Sequence, residues 1–65
     1  MITVNGDRHP WREAMTVRDL LRERGYTFPL LITRIDGTLI PRERYDDTPI
    51  PEGATVDVIH LMSGG

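Results

Sequence analysis

Two turn dipeptides, Asn5-Gly6 and Asp36-Gly37, frame a single helical stretch, and this arrangement restricts the fold more than any other feature of the chain. A two-residue type I′ turn needs positive φ at both positions, which Asn-Gly and Asp-Gly tolerate, so each dipeptide marks a hairpin. The first links the apolar, β-branched stretch from Met1 to Val4 with a return strand over Asp7 to Arg12. Pro10 cannot donate to a ladder, so that return strand lies at an edge or ends early. The second links Leu30–Ile35, apolar enough for a central strand, with Thr38–Ile40, which Pro41 stops. Between the hairpins Thr16 is a plausible N-cap, with Asp19 at the third helical position. Val17, Leu20 and Leu21 share one face, and Gly25 suits the C′ position, which bounds a helix of about eight residues. Arg42 to Asp47 has room for one helical turn. Pro49, Pro51 and Gly53 form a tight loop, and Thr55 to Leu61 reads as the last strand.

A hairpin, one crossing helix, a second hairpin and a final strand predict an α+β domain. Its mixed sheet has about four to five strands, with the one main helix packed on one face. That is the β-grasp, or ubiquitin-like, arrangement. It spans residues 1–61, and 62–65 form a flexible tail ending Gly-Gly. With 65 residues there is room for one domain. A core this small supplies ~3–5 kcal/mol and leaves little for a deep catalytic pocket. The chain has no cysteine and two histidines, so disulfides and thiolate sites are excluded and the sequence predicts no metal site. A net charge of −2 argues against nucleic acid as a partner, and 38% hydrophobic residues argue against disorder. No run approaches the ~18 apolar residues of a membrane span, and the first residues lack a signal-peptide pattern, so a cytoplasmic location is expected. All eight basic residues are arginine, so no side-chain amine can accept an acyl group.

Catalytic constellations fail quickly. Ser63, the one serine, lies in the tail, and neither His9 nor His60 has the spacing of a triad or a metal site. Asp46-Asp47 reads as a solvated turn, Arg42 and Arg44 as a solvated loop, and His60 as a strand-end residue. Nothing here argues for an enzyme. The end of the chain is different. Glycine contributes no packing to a fold and costs backbone entropy when ordered. Met62, Ser63, Gly64 and Gly65 therefore form an extension that could thread a narrow channel and present the Gly65 carboxylate to another protein's active site. Alternation in the last strand places Val56 and Val58 under the helix, with Asp57, Ile59 and Leu61 on the other face. One short helix covers one face only, so Ile59 and Leu61 are the candidate partner-docking residues beside the tail.

These features together resemble the ThiS/MoaD family of ubiquitin-like sulfur carriers, and the thiamine-pathway ThiS branch most of all. Val4-Asn5-Gly6 is similar to the family's first turn, and Thr16-Val17-Arg18-Asp19-Leu20-Leu21 to its helix start. Ile35-Asp36-Gly37 followed by Leu39-Ile40-Pro41-Arg42 resembles the V-N-G…I-V-P-R segment of the ThiS branch. Gly53 before Val56-Asp57-Val58-Ile59 resembles the turn into the last strand, and Ser63-Gly64-Gly65 the terminus. The chain departs from the family at Ala14, where Gly is frequent, and at Gly53-Ala54, where Gly-Asp is frequent.

The resemblance implies a carrier with no bound cofactor. An E1-like activating enzyme of the ThiF type would consume ATP to adenylate Gly65. A cysteine desulfurase would be the source of the sulfur that replaces AMP, leaving a C-terminal thiocarboxylate. A thiazole synthase of the ThiG type would take that sulfur for the thiazole ring of thiamine. Molybdopterin synthesis, tRNA thiolation and sulfur amino-acid synthesis use the same tail chemistry and stay open as acceptors. So does a ubiquitin-like modifier forming isopeptide bonds, although the tail lacks the arginine of ubiquitin. A β-grasp interaction module with incidental glycines is the reading outside this chemistry.

Overall fold

Both hairpin turns adopt the backbone their residues favour. Asn5 and Gly6 have φ of 51° and 86°, and Asp36 and Gly37 have φ of 49° and 84°, as a type I′ turn requires. The computed structural model describes residues 1–26 and 30–61. Strands β1 (Ile2–Val4) and β2 (Asp7–His9) form the first hairpin, and β3 (Leu31–Ile35) and β4 (Thr38–Ile40) the second. Helix α1 covers Val17–Glu23, one 3₁₀ turn covers Arg42–Arg44, and β5 covers Thr55–His60. The sheet order is β2-β1-β5-β3-β4, with β5 parallel to β1 and antiparallel to β3. This is the mixed five-stranded sheet of a β-grasp fold.

The helix is closed at both ends by its own residues. Asp19 donates its backbone N–H to Thr16 Oγ1 at 3.2 Å, and Thr16 N–H returns the bond to Asp19 Oδ2 at 3.0 Å. That reciprocal box satisfies two otherwise orphaned donors. At the other end Gly25 takes φ of 71°. Tyr26 N–H reaches Leu21 O at 2.8 Å while Gly25 N–H reaches Arg22 O at 3.1 Å, the paired bonds of a Schellman motif. Seven residues make a helix too short to persist alone. Burial of Val17, Leu20 and Leu21 against Ile2, Val4, Ile35, Val56 and Val58 holds it.

Several boundaries differ from the sequence expectation. β2 ends at His9 and not Arg12, because Pro10 offers no N–H and the chain turns inward at Trp11, whose Nε1 donates to Ile50 O at 2.6 Å. β3 starts at Leu31, the helical turn stops at Arg44, and β5 ends at His60, although Leu61 N–H still reaches Leu30 O at 3.0 Å. The connections also supply core. Met15, Tyr45 and Ile50 are buried outside any strand or α-helix, and with one short helix these side chains seal the margins of the sheet's covered face.

Candidate functional site

The site expected from sequence is the C-terminal end of β5 and the tail beyond it. Met62, Ser63, Gly64 and Gly65 lie outside the described residues, so the structure speaks for the root of the tail and its surroundings.

Register decides what surrounds that root. Thr33 opposes Val58 and Ile35 opposes Val56, and all four face the helix and are buried. The intervening pairs, Ile32 with Ile59 and Arg34 with Asp57, therefore face away from it. Leu39 joins this side, because it opposes Arg34 across β3 and β4. The expected placement of Ile59 and Leu61 holds: both are exposed, on the sheet face the helix leaves open. Sequence reading missed their company. Leu30 is exposed beside Leu61, and half-buried Ile32 pairs directly with Ile59, so four apolar side chains from β3, β5 and the residues adjoining them form one patch at the tail root. Strand parity puts Leu30 and Ile32 on the face of Arg34, but the unbroken apolar run Leu30-Leu31-Ile32 hides which face is open, and only the cross-strand register joins them to β5.

On the helix side of the same strand end lies a shallow, mostly apolar pocket of about 130 Å³ lined by Asn5, Tyr26, Leu31, Val58 and His60. The end of β5 thus has the apolar patch on one face and this pocket on the other. The side-chain carboxylates held below their usual range lie elsewhere. Glu23 is lowered first by its bond from His9 Nε2 at 3.0 Å and then by Arg12, and Asp19 by its bonds from Thr16. Those groups pin β2 and the chain after it to α1. Among the described residues no cluster of His, Asp and Glu could hold a metal ion, and no helix is long and apolar enough to cross a membrane.

The comparisons with known proteins agree with this geometry. The ThiS family profile matches residues 2–65. The chain belongs to the ThiS family. The crystal structure of the thiamine biosynthesis protein ThiS from Geobacter metallireducens superposes with a TM-score of 0.79 at 27% identity, covering 98% of this chain and 97% of that one. The solution structure of a thiamine biosynthesis protein from the same organism gives a TM-score of 0.70 at 26% identity, over 98% of this chain and 86% of that one. Membership of the ThiS family makes the chain a small carrier protein that is not itself catalytic. The two departures from the family pattern fall at distinct places. Ala14 is exposed with φ of 65°, a conformation that suits glycine, whereas Ala54 is buried in the core.

Proposed function

We propose that this chain carries sulfur for assembly of the thiamine thiazole, using the carboxylate of Gly65 as the attachment point. A carboxylate is a poor electrophile until its oxygen becomes a leaving group. An E1-like enzyme would join it to AMP from ATP with release of pyrophosphate. A cysteine desulfurase supplies sulfur as a persulfide, whose outer sulfur displaces AMP to give an acyl disulfide. A thiol of the partner machinery then cleaves that S–S bond, is itself oxidised to a disulfide, and leaves the thiocarboxylate. A thiazole synthase consumes that sulfur and returns the carboxylate. The chain's own residues do two things: the glycines pass through a narrow channel, and the open sheet face docks. Four residues beyond Leu61 reach no more than ~14 Å, so the partner's active site must approach the patch of Leu30, Ile32, Ile59 and Leu61 closely.

The observation that supports this most is the family match running through the Ser63-Gly64-Gly65 end of the chain. The likeness to thiamine biosynthesis proteins favours thiazole over the other acceptors. Intact mass spectrometry tests it. Incubation with a ThiF-type enzyme, ATP and a sulfur donor should exchange one oxygen for sulfur on the last peptide. An unchanged mass with every component present refutes the proposal.

A further inference from the structure

Backbone alternation along β5 leaves one residue with a problem that a side chain solves. Thr3 N–H donates to Ala54 O at 3.0 Å and Asn5 N–H to Val56 O at 2.9 Å, so the even residues of β5 direct their peptide groups toward β1. Odd residues turn toward β3, as Leu61 N–H does in reaching Leu30 O. Val58 is the next even residue, but β1 has ended at Val4 and the chain is already in the Asn5-Gly6 turn. Val58 is buried, and unpaired polar backbone there would be costly. Asn5 supplies both partners. Val58 N–H donates to Asn5 Oδ1 at 2.8 Å, and Asn5 Nδ2 donates to Val58 O at 3.1 Å. The side-chain amide thus stands in for a peptide group and carries the parallel ladder past the end of its strand.

We propose that Asn5 is a positioning residue for activation: its side chain clamps β5 at Val58 and so fixes the strand end that precedes residues 62–65. This rests on the carrier function proposed above. Turn geometry alone does not explain the asparagine. Gly and Asp also suit the first position of a type I′ turn, yet only asparagine offers one donor and one acceptor. Without the clamp, β5 beyond Val56 is bonded to β3 and lacks its bonds on the β1 side. The patch of Ile32, Ile59 and Leu61 survives on the β3 side, so docking persists while the hold on that strand end degrades.

Asn5→Gly is the decisive variant, because it keeps the turn and deletes both bonds. Amide exchange at Val58 should accelerate about tenfold or more while Val4 and Val56 keep their protection. Activation by a ThiF-type enzyme should lose about three- to tenfold in kcat with KM within about twofold, the pattern of a lost aligning interaction. Asn5→Asp, which keeps the acceptor and replaces the donor with an oxygen facing Val58 O, should fall between wild type and Asn5→Gly in both measurements. Unchanged exchange at Val58 in Asn5→Gly overturns the clamp. Faster exchange with normal kcat overturns the positioning role, and so does a kcat loss that only tracks a fall in melting temperature. If the wild-type chain is not activated at all, the carrier proposal itself has failed and the positioning role falls with it, whereas a defect confined to Asn5 variants isolates the clamp.

Discussion

Placing one arginine on either face of β5 separates folding from docking. Ile59 and Leu61 are 40% and 42% exposed, so more than half of each side chain is already covered in the free domain. Complete burial of such a side chain is worth about 1.5–3 kcal/mol, and the portion still open is then worth about 0.6–1.2 kcal/mol. Ile59→Ala should therefore weaken binding to a ThiF-type enzyme by roughly three- to eightfold. Ile59→Arg also forces a charge into the interface and should exceed tenfold. In the free domain the arginine stem can lie along Ile32, so the loss of stability should stay under ~1 kcal/mol. Val56 is the control on the opposite face. It is wholly buried, whereas Val58 lines the open pocket through which an arginine could reach water. A domain of this size has ~3–10 kcal/mol in total, and Val56→Arg should unfold it. Circular dichroism melts and calorimetric titration against the purified enzyme measure both effects. If Ile59→Arg folds and binds as wild type, partners use another surface and the docking argument is refuted. If Ile59→Arg unfolds while Val56→Arg folds, the assignment of the two faces is wrong.

Four further outcomes are expected. Ala14→Gly should raise the melting temperature by several degrees, since relief of a positive φ worth ~1–2 kcal/mol exceeds the added unfolded-state entropy of glycine; an unchanged or lower value in thermal melts contradicts the strain. Thr33→Val should stabilise by ~1–2 kcal/mol in urea titrations, because Thr33 Oγ1 is buried with no hydrogen-bond partner among the described residues. Asp19 and Glu23 are held below their ordinary values of 3.8 and 4.5, so the unfolded chain binds more protons in acid, and the stability they lend is whole above that range and lost as pH falls through the folded values. Melts from pH 7 down to about 3 should show that loss, blunted in Asp19→Asn. Gly64→Val should slow thiocarboxylate formation, read by mass, without moving the melting temperature, because the tail is proposed to act in the partner and not in the core.

Most of the fold was readable because its signals are local. Asn5-Gly6 and Asp36-Gly37 specify their turns through two dihedrals each, and Thr16 with Asp19 caps the helix within four residues. Burial of Val56 and Val58 with exposure of Ile59 follows from strand parity alone. What escaped depends on residues far apart in sequence. Trp11 is drawn inward by a carbonyl at Ile50, and Tyr45 is buried in a segment whose composition reads as loop. Ile32 could be given to an open face only once its pairing with Ile59 was known. Asn5 was read as a turn residue, which it is, but its two bonds to Val58 span 53 positions and have no local signature. The site divides the same way: the glycines of the tail declare themselves, while the patch at its root is a product of register.

The two faces of the sheet use their apolar residues differently, and this bears on what the open one is for. On the covered face, Ile2, Val4, Ile35, Val56 and Val58 meet the helix and are buried, so each contributes to folding. On the open face, Leu30, Ile59 and Leu61 keep much of their apolar surface in water and, with Ile32, gather at one end. A single exposed leucine needs no explanation, but several contiguous ones beside a chain end raise the tendency to associate. Threonine would satisfy β5 equally well at those positions, as it does at Thr55, also exposed on the open side at the far end of the same strand. Along β5 itself the exposed apolar residues are therefore confined to the end from which the tail departs, while Leu39 on β4 is the exposed apolar residue that lies away from it. Folding does not require that asymmetry, whereas the proposed partner, which would have to seize the sheet within reach of Gly65, does.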